Sequence, residues 1–126
     1  EFEKLFGELL RSAFLIRKDL TQGAKIISWA SKASALDKES QKSFFRFSIE
    51  LIRQSFLKNI NATSLVNFEA KTDFNFDSFS RYVTKKNIEE LCGQFENANY
   101  QTIRNGNSNM IMTGLALGLT KSIHRH

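Results

Sequence analysis

Proline is absent from the chain, and this absence restricts the fold more than any other feature of the sequence. With no proline and only six glycines in 126 residues, few positions force a helix to stop. Hydrophobic residues make up 41% and charged residues 25%, which is the balance of a globular protein that buries a core. We therefore expect one all-α domain over residues 1–126, a single bundle of about five helices without β-strands.

The longest predicted helix runs from Lys38 to Asn59. Asp37, just before it, is a residue type that caps helix N-termini, and Glu39 suits the positive end of the helix dipole. At about 1.5 Å per residue this helix is roughly 33 Å long, so we expect it to be the central pillar of the domain. Its apolar residues recur at helical spacing and form the row Phe45, Ile49, Ile52, Phe56 and Ile60.

The segments on either side of this pillar have weaker patterns. Apolar residues from Phe2 to Ile16 have helical spacing, and Asp19 with Gln22 forms a capping-box pattern that predicts the start of a second helix. Residues 61–75 are rich in Asn, Thr, Ser and Asp, which break the periodicity and predict a loop. A short helical segment is expected after it, marked by Phe76, Phe79 and Val83.

Residues 87–119 predict two helices packed on one another across a tight turn. Asn87 and Glu90 have the spacing of an N-cap and capping box at the start of the first helix. Gly106 is expected to adopt the left-handed conformation that ends this helix, and Asn107 is expected to be the N-cap of the second. The inward rows are expected to be Ile88, Leu91, Phe95, Ala98 and Thr102 on the first helix and Ile111, Leu115, Gly118 and Ser122 on the second.

No group of residues has the pattern of a catalytic, cofactor or metal site. A phosphate-binding loop of the form GxxxxGK is absent from the sequence. The only histidines are His124 and His126 at the C-terminus, and Cys92 is expected to be a small core residue rather than a reactive thiol. We expect a protein that is not an enzyme and uses no cofactor or metal. Because a single cysteine cannot form an internal disulfide, nothing indicates secretion, and we expect a cytoplasmic protein.

The most apolar run, from Met110 to Leu119, is much shorter than the ~20 residues that a membrane span needs. We therefore expect no membrane association. Gly114 and Gly118 within this run are expected to let a neighbouring backbone come close inside the bundle.

Basic side chains form one exposed row on the predicted long helix. The formal net charge is +5, and Lys38, Lys42 and Arg46 are spaced four apart. Like charges at this spacing repel one another slightly, which makes the row a candidate anion-facing surface. The alternatives are a solvated helix face and a small basic helical module that binds nucleic acid. The sequence favours the solvated face for this row. The other basic spots, Lys85-Lys86 and Lys121-Arg125, have no aromatic residues between them, unlike typical single-strand binders, so we expect DNA contact to be absent.

The amino-acid sequence of residues 87–119 resembles that of one known family. The run NIEEL at 87–91, Phe95 with Ala98, NGN at 105–107 and LAL at 115–117 are similar to the C-terminal domain of the bacterial DNA polymerase III delta prime subunit, a clamp-loader protein. Upstream, KESQK at 38–42 followed by Phe44 and Phe45 resembles the family pattern R-E-K-Q-K-x-F. The sequence departs from the family at Thr102, where a His is common, at Gly114, where an Asp is common, and at Cys92-Gly93.

The resemblance implies a role in assembly. It implies the collar, an oligomerisation domain that holds the delta and gamma/tau subunits of the sliding-clamp loader in a ring during DNA replication. It also implies that the chain is the C-terminal part of a longer subunit whose ATPase-type modules lie N-terminal. Such a domain should leave apolar side chains exposed for its partners. The interface candidates are the apolar residues off the inward rows: Trp29, Phe47, Tyr100 and Met112.

Overall fold

The computed structural model describes residues 2–15, 23–72 and 74–125. Within these ranges every regular element is helical and no β-strand occurs, which confirms the all-α fold. The described ranges contain six α-helices rather than about five, because the short segment after the loop is a helix of its own. They are α1 (Phe2–Leu15), α2 (Gly23–Ser34), α3 (Lys38–Asn59), α4 (Phe76–Ser80), α5 (Ile88–Ile103) and α6 (Ser108–Arg125), and Thr63–Leu65 forms a 3₁₀ turn. Ile16 and the capping-box pair Asp19 and Gln22 lie outside the described residues.

The long helix α3 is one of three helices that each pack against three others, so the contacts do not distinguish it from α1 and α6 as a central pillar. It packs along α5 and also contacts α1 and α4, while α6 packs against α1, α2 and α5. The side chain of Asp37 accepts the Ser40 backbone N–H at 2.7 Å, which confirms the predicted N-cap. This hydrogen bond also holds the pKa of Asp37 below its ordinary value.

The buried face of α3 is rotated away from the predicted apolar row. Ile49 and Phe56 are only half-buried and Ile60 is exposed, so the row lies along one edge of the buried face. Two serines, Ser48 and Ser55, lie on the buried face instead, and the Ser55 hydroxyl donates to the Leu51 carbonyl oxygen at 2.8 Å. The bond within its own helix lets Ser55 occupy a buried position that a hydrophobic pattern cannot identify, whereas the buried Ser48 hydroxyl has no hydrogen-bond partner among the described residues.

Phenylalanine rings form the centre of the core. The ring of Phe6 in α1 lies 5.8 Å from that of Phe74, 5.5 Å from that of Phe79 and 5.9 Å from that of Phe95, measured between centroids. These separations are in the range of favourable aromatic pairs. Phe6 therefore ties α1 to α4, to α5 and to the segment that precedes α4.

Asparagines in a left-handed conformation follow the ends of α3 and α5. Asn61 and Asn105 both have φ of 63°, and no described glycine has a positive φ, so the expectation for Gly106 is wrong. After α5, the Asn105 N–H donates to the Thr102 oxygen at 3.0 Å and the Gly106 N–H donates to the Gln101 oxygen at 2.9 Å. This is the hydrogen-bond pattern of a Schellman motif, in which the left-handed residue precedes the glycine.

Of the two asparagines predicted to cap helices in the 87–119 stretch, only Asn107 does so. Asn107 accepts the Met110 N–H at 3.0 Å, as predicted for the start of α6. Asn87 makes no such bond to α5. Its buried amide accepts the Thr84 N–H at 2.8 Å and donates to the Tyr82 oxygen at 2.6 Å, so it fixes the turn that precedes the helix.

Candidate interaction surface

Two of the four predicted interface residues belong to the core instead. Trp29 is 3% exposed, and its indole N–H donates to the Leu5 carbonyl oxygen at 2.9 Å, which places it between α2 and α1. Met112 is 0% exposed. The physical reason is that α6 packs against three other helices, so its buried face is too wide to be one row and includes Met112 beside Ile111.

The other two candidates remain accessible to different degrees. Phe47 is half-buried, with its ring centroid 6.1 Å from that of Phe2. Tyr100 is 56% exposed on α5. The Arg104 guanidinium lies 5.3 Å from the centre of the Tyr100 ring and donates to its hydroxyl at 2.5 Å. Tyr100 is therefore the one predicted candidate that presents most of its surface to solvent.

Sequence reasoning missed the more exposed apolar residues near Tyr100. Met110 is 73% exposed and Leu117 is 47% exposed, both on α6, and Ile103 at the end of α5 is 52% exposed. Met110 and Leu117 are seven residues apart, two helical turns, with exposed Gly114 between them. Their spacing off the inward row that contains Ile111 was the signal that could have identified them.

Contacts between α5 and α6 bring Tyr100 and Gly114 to the same level of the hairpin. Gln94 on α5 lies against Gly118, and its side chain donates to Ser122 at 3.5 Å. The two helices run antiparallel, so moving along α5 toward the turn corresponds to moving back along α6 toward the turn. Tyr100, which is closer to the turn than Gln94, is therefore near the level of Gly114, which is closer to the turn than Gly118. We call four exposed residues of this hairpin the outer face: Tyr100, Met110, Gly114 and Leu117.

The charges near the outer face are mostly positive, with one exposed carboxylate, Glu96, one turn before Tyr100 on α5. All 13 acidic residues of the chain lie at or before Glu96, so the end of α5, the turn and α6 contain none. The cations beside the face are Arg104 and Lys121. Arg104 is engaged with Tyr100, and Lys121 has no carboxylate partner among the described residues.

The predicted anion-facing row on α3 has partners inside the chain. The Lys38 ammonium donates to the Asn105 side-chain oxygen at 2.6 Å, Lys42 pairs with Glu39 at 3.0 Å, and Arg46 donates to the Ser43 hydroxyl at 3.2 Å. These contacts lie at the surface, where an ion pair contributes little free energy. They nevertheless use the three groups locally, so the structure adds no support to the nucleic-acid-binding alternative.

Groups that could carry chemistry are sparse in the described part of the chain. Cys92 is buried, as predicted, and burial raises the pKa of its thiol. Within the described ranges, no three His, Cys, Asp or Glu side chains converge as metal ligands would. A helix long and apolar enough to cross a membrane is also absent from those ranges.

Comparisons of the chain with protein-family models, with curated proteins and with solved structures give no match.

Proposed function

We propose that this chain is an assembly domain of the collar type, the C-terminal domain of a delta prime subunit in a bacterial clamp loader. Its partners are the delta and gamma/tau subunits, and its role in DNA replication is to hold them in a ring in the cytoplasm without catalysing a reaction itself. The family enters through the sequence resemblance in residues 38–45 and 87–117. The all-α architecture is compatible with it.

The observation that carries the proposal is the concentration of exposed apolar side chains on the outer face. Tyr100, Met110 and Leu117 lie on α5 and α6, the two helices whose sequence resembles that of the family. Exposed apolar side chains such as these favour protein contact, because removing apolar surface from water is favourable by about 25 cal/mol per Å². Tyrosine and methionine are also enriched in the buried centres of interfaces.

The proposal is tested by mixing the purified chain with purified delta and gamma/tau subunits of the same organism and measuring complex formation by analytical ultracentrifugation. We expect a complex with at least one of them. Met110→Glu should abolish it, because a carboxylate would be buried without a partner. Ile27→Glu is the matched control: Ile27 is also exposed, on α2, and away from the outer face.

Three outcomes decide the result. Binding that is lost in Met110→Glu and kept in Ile27→Glu supports the outer face as the interface. Binding that is kept in both variants would show that another surface is used. If the wild-type chain binds neither subunit, the proposed function is wrong.

A further inference from the structure

We propose that the groove between α1 and α4 is a binding site for a small aromatic molecule that carries an anionic group such as a carboxylate. The groove has a volume of about 410 Å³. Ligand sites in proteins have volumes of about 300–1,000 Å³ and are lined mostly by apolar and aromatic side chains, with a few polar groups that orient the ligand. The inference goes beyond the proposed function and does not depend on it.

Aromatic rings form most of the groove. Phe74 and Phe79 are buried at its base, with their ring centroids 5.9 Å apart. Phe14 of α1 and Tyr82, just after α4, border it with ring centroids 4.7 Å apart, and both are partly exposed. A flat ring of a ligand can stack on such side chains or pack against their edges. The shape and lining of the groove therefore suit an aromatic molecule.

Gly7 leaves space at the base of the groove. It lies inside α1, where alanine is the more favourable residue for a helix. A Cβ at this position would lie 3.6 Å from Cδ1 of Phe74, which is an ordinary van der Waals distance. Packing within the described part of the chain therefore does not require glycine here. Its missing side chain instead adds room beside the Phe74 ring, where a ligand would lie.

Charge indicates that the ligand is an anion. Among the described residues that line the groove, Arg11 alone is charged. The described carboxylates next to lining residues in sequence are engaged with cations: Glu8 binds Lys32 at 3.0 Å. Asp77 likewise binds Lys58 at 2.8 Å. A guanidinium has five N–H donors, so Arg11 can bind a carboxylate through two of them in addition to its contacts within the chain.

The charge arm of the test uses two fluorescent probes with the same aromatic rings. Anilinonaphthalene sulfonate is an anion, and phenylnaphthylamine lacks the sulfonate. We expect the folded wild-type chain to bind one molecule of either probe. Arg11→Gln should weaken binding of the anionic probe by about two- to fivefold in Kd, as for a surface ion pair, and leave that of the neutral probe unchanged. Arg81→Gln, at an exposed position outside the groove, should change neither.

A second arm locates the probes by filling the groove. Ser78 is exposed on α4 and lines the groove, so Ser78→Trp should weaken binding of both probes by about tenfold or more. Ser31→Trp, at an exposed position on α2 outside the groove, is the matched control and should change neither. Gly7→Ala should weaken both probes severalfold without lowering the melting temperature, because alanine favours the helix while its methyl group enters the groove. A variant that folds at least as well and binds worse separates the site from any loss of structure.

The outcomes decide between a site for an aromatic anion and its alternatives. If the folded wild-type chain binds neither probe, or if Ser78→Trp and Gly7→Ala leave binding unchanged, the groove is not the site. If both groove variants weaken binding but Arg11→Gln weakens neither probe or both equally, the anionic ligand is wrong and the groove takes a neutral apolar group. The proposed function is tested on α5 and α6 with the clamp-loader subunits, so either proposal can fail while the other stands.

Discussion

The carboxylate of Glu3, in the first turn of α1, accepts the backbone N–H of Thr72 at 2.8 Å, although the two residues are 69 positions apart. The same carboxylate accepts the Lys71 N–H at 3.0 Å and a short hydrogen bond from the Thr72 hydroxyl. Burial alone would raise the pKa of Glu3, but the hydrogen bonds from Thr72 and Lys71 outweigh it and lower the pKa. One side chain thus fastens the segment before α4 to the start of the bundle.

Glu3→Gln is expected to lower the free energy of unfolding by about 1–3 kcal/mol, because charge-assisted hydrogen bonds from the Lys71 and Thr72 backbone to the buried Glu3 carboxylate are lost or weakened. The ordinary pKa of the group is 4.5 and the folded value is lower. The stabilisation is therefore present above pH 4.5 and is lost as the pH falls through the folded pKa. Urea unfolding of wild type and variant from pH 3 to pH 7 measures how the free energy of unfolding depends on pH. A difference of one pKa unit between the folded and unfolded states corresponds to about 1.4 kcal/mol. Equal pH dependence in the two proteins would contradict the assignment.

Trp29 should behave as a core residue and Tyr100 as a surface residue. Trp29→Ala is expected to lower the free energy of unfolding by about 3–5 kcal/mol. Trp29→Phe is expected to lower it by about 1–2 kcal/mol, through loss of the hydrogen bond to the Leu5 carbonyl oxygen. Tyr100→Glu is expected to change the free energy of unfolding by less than about 0.5 kcal/mol, because its ring is mostly in solvent. Thermal unfolding of the three variants measures the difference. A stable, soluble Trp29→Glu variant would contradict the burial of Trp29.

Thr102 offers a stabilising substitution. Its hydroxyl is buried and has no hydrogen-bond partner within the described part of the chain. Thr102→Val replaces the unpaired hydroxyl by a methyl group of similar shape and should raise the free energy of unfolding by about 1 kcal/mol. Thr120→Val is the matched control on α6: the Thr120 hydroxyl donates to the Ala116 oxygen at 2.8 Å, so its removal should be neutral or destabilising. The reverse order of stability would indicate that Thr102 has a partner.

Cys92 should react with thiol reagents only when the protein unfolds. It is buried, and burial raises the pKa of the thiol above its ordinary value of 9.0, so the reactive thiolate is scarce at neutral pH. The labelling rate in native buffer should rise with urea in parallel with unfolding. A Cys92→Ala/Ser64→Cys variant, with its thiol on the exposed 3₁₀ turn, should react at once. Fast labelling of wild type without urea would contradict the burial of Cys92.

Helix starts and ends were predictable where the determining contacts are local. Asp37 and Asn107 cap their helices through amides three residues away, which the sequence alone can indicate. Asn87 fails as a cap because its amide binds the turn that contains Tyr82 and Thr84. Asn105, rather than Gly106, is the left-handed residue, and the Lys38 ammonium from the start of α3 binds its side chain. That contact comes from 67 residues away, beyond any local pattern.

The exposed surface was less predictable than the fold. The number of helices that pack on α6 decides which of its apolar residues are buried, and the sequence does not state that number. Three neighbours bury Met112, whereas Met110, two residues earlier, points away from all of them. The apolar character of this run predicts a buried helix, and only the assembled bundle reveals the side that remains uncovered.

The two methionines of the chain make a direct test of the central claim, that the outer face is an assembly surface. Met110 is exposed and Met112 is buried, and sulfoxide formation follows exposure. We propose to measure oxidation at each residue by mass spectrometry, in the free chain and in a mixture with delta and gamma/tau subunits in which a complex has formed. We expect rapid oxidation of Met110 in the free chain, a severalfold decrease in the complex, and slow oxidation of Met112 in both. Undiminished oxidation of Met110 in a formed complex would contradict the central claim.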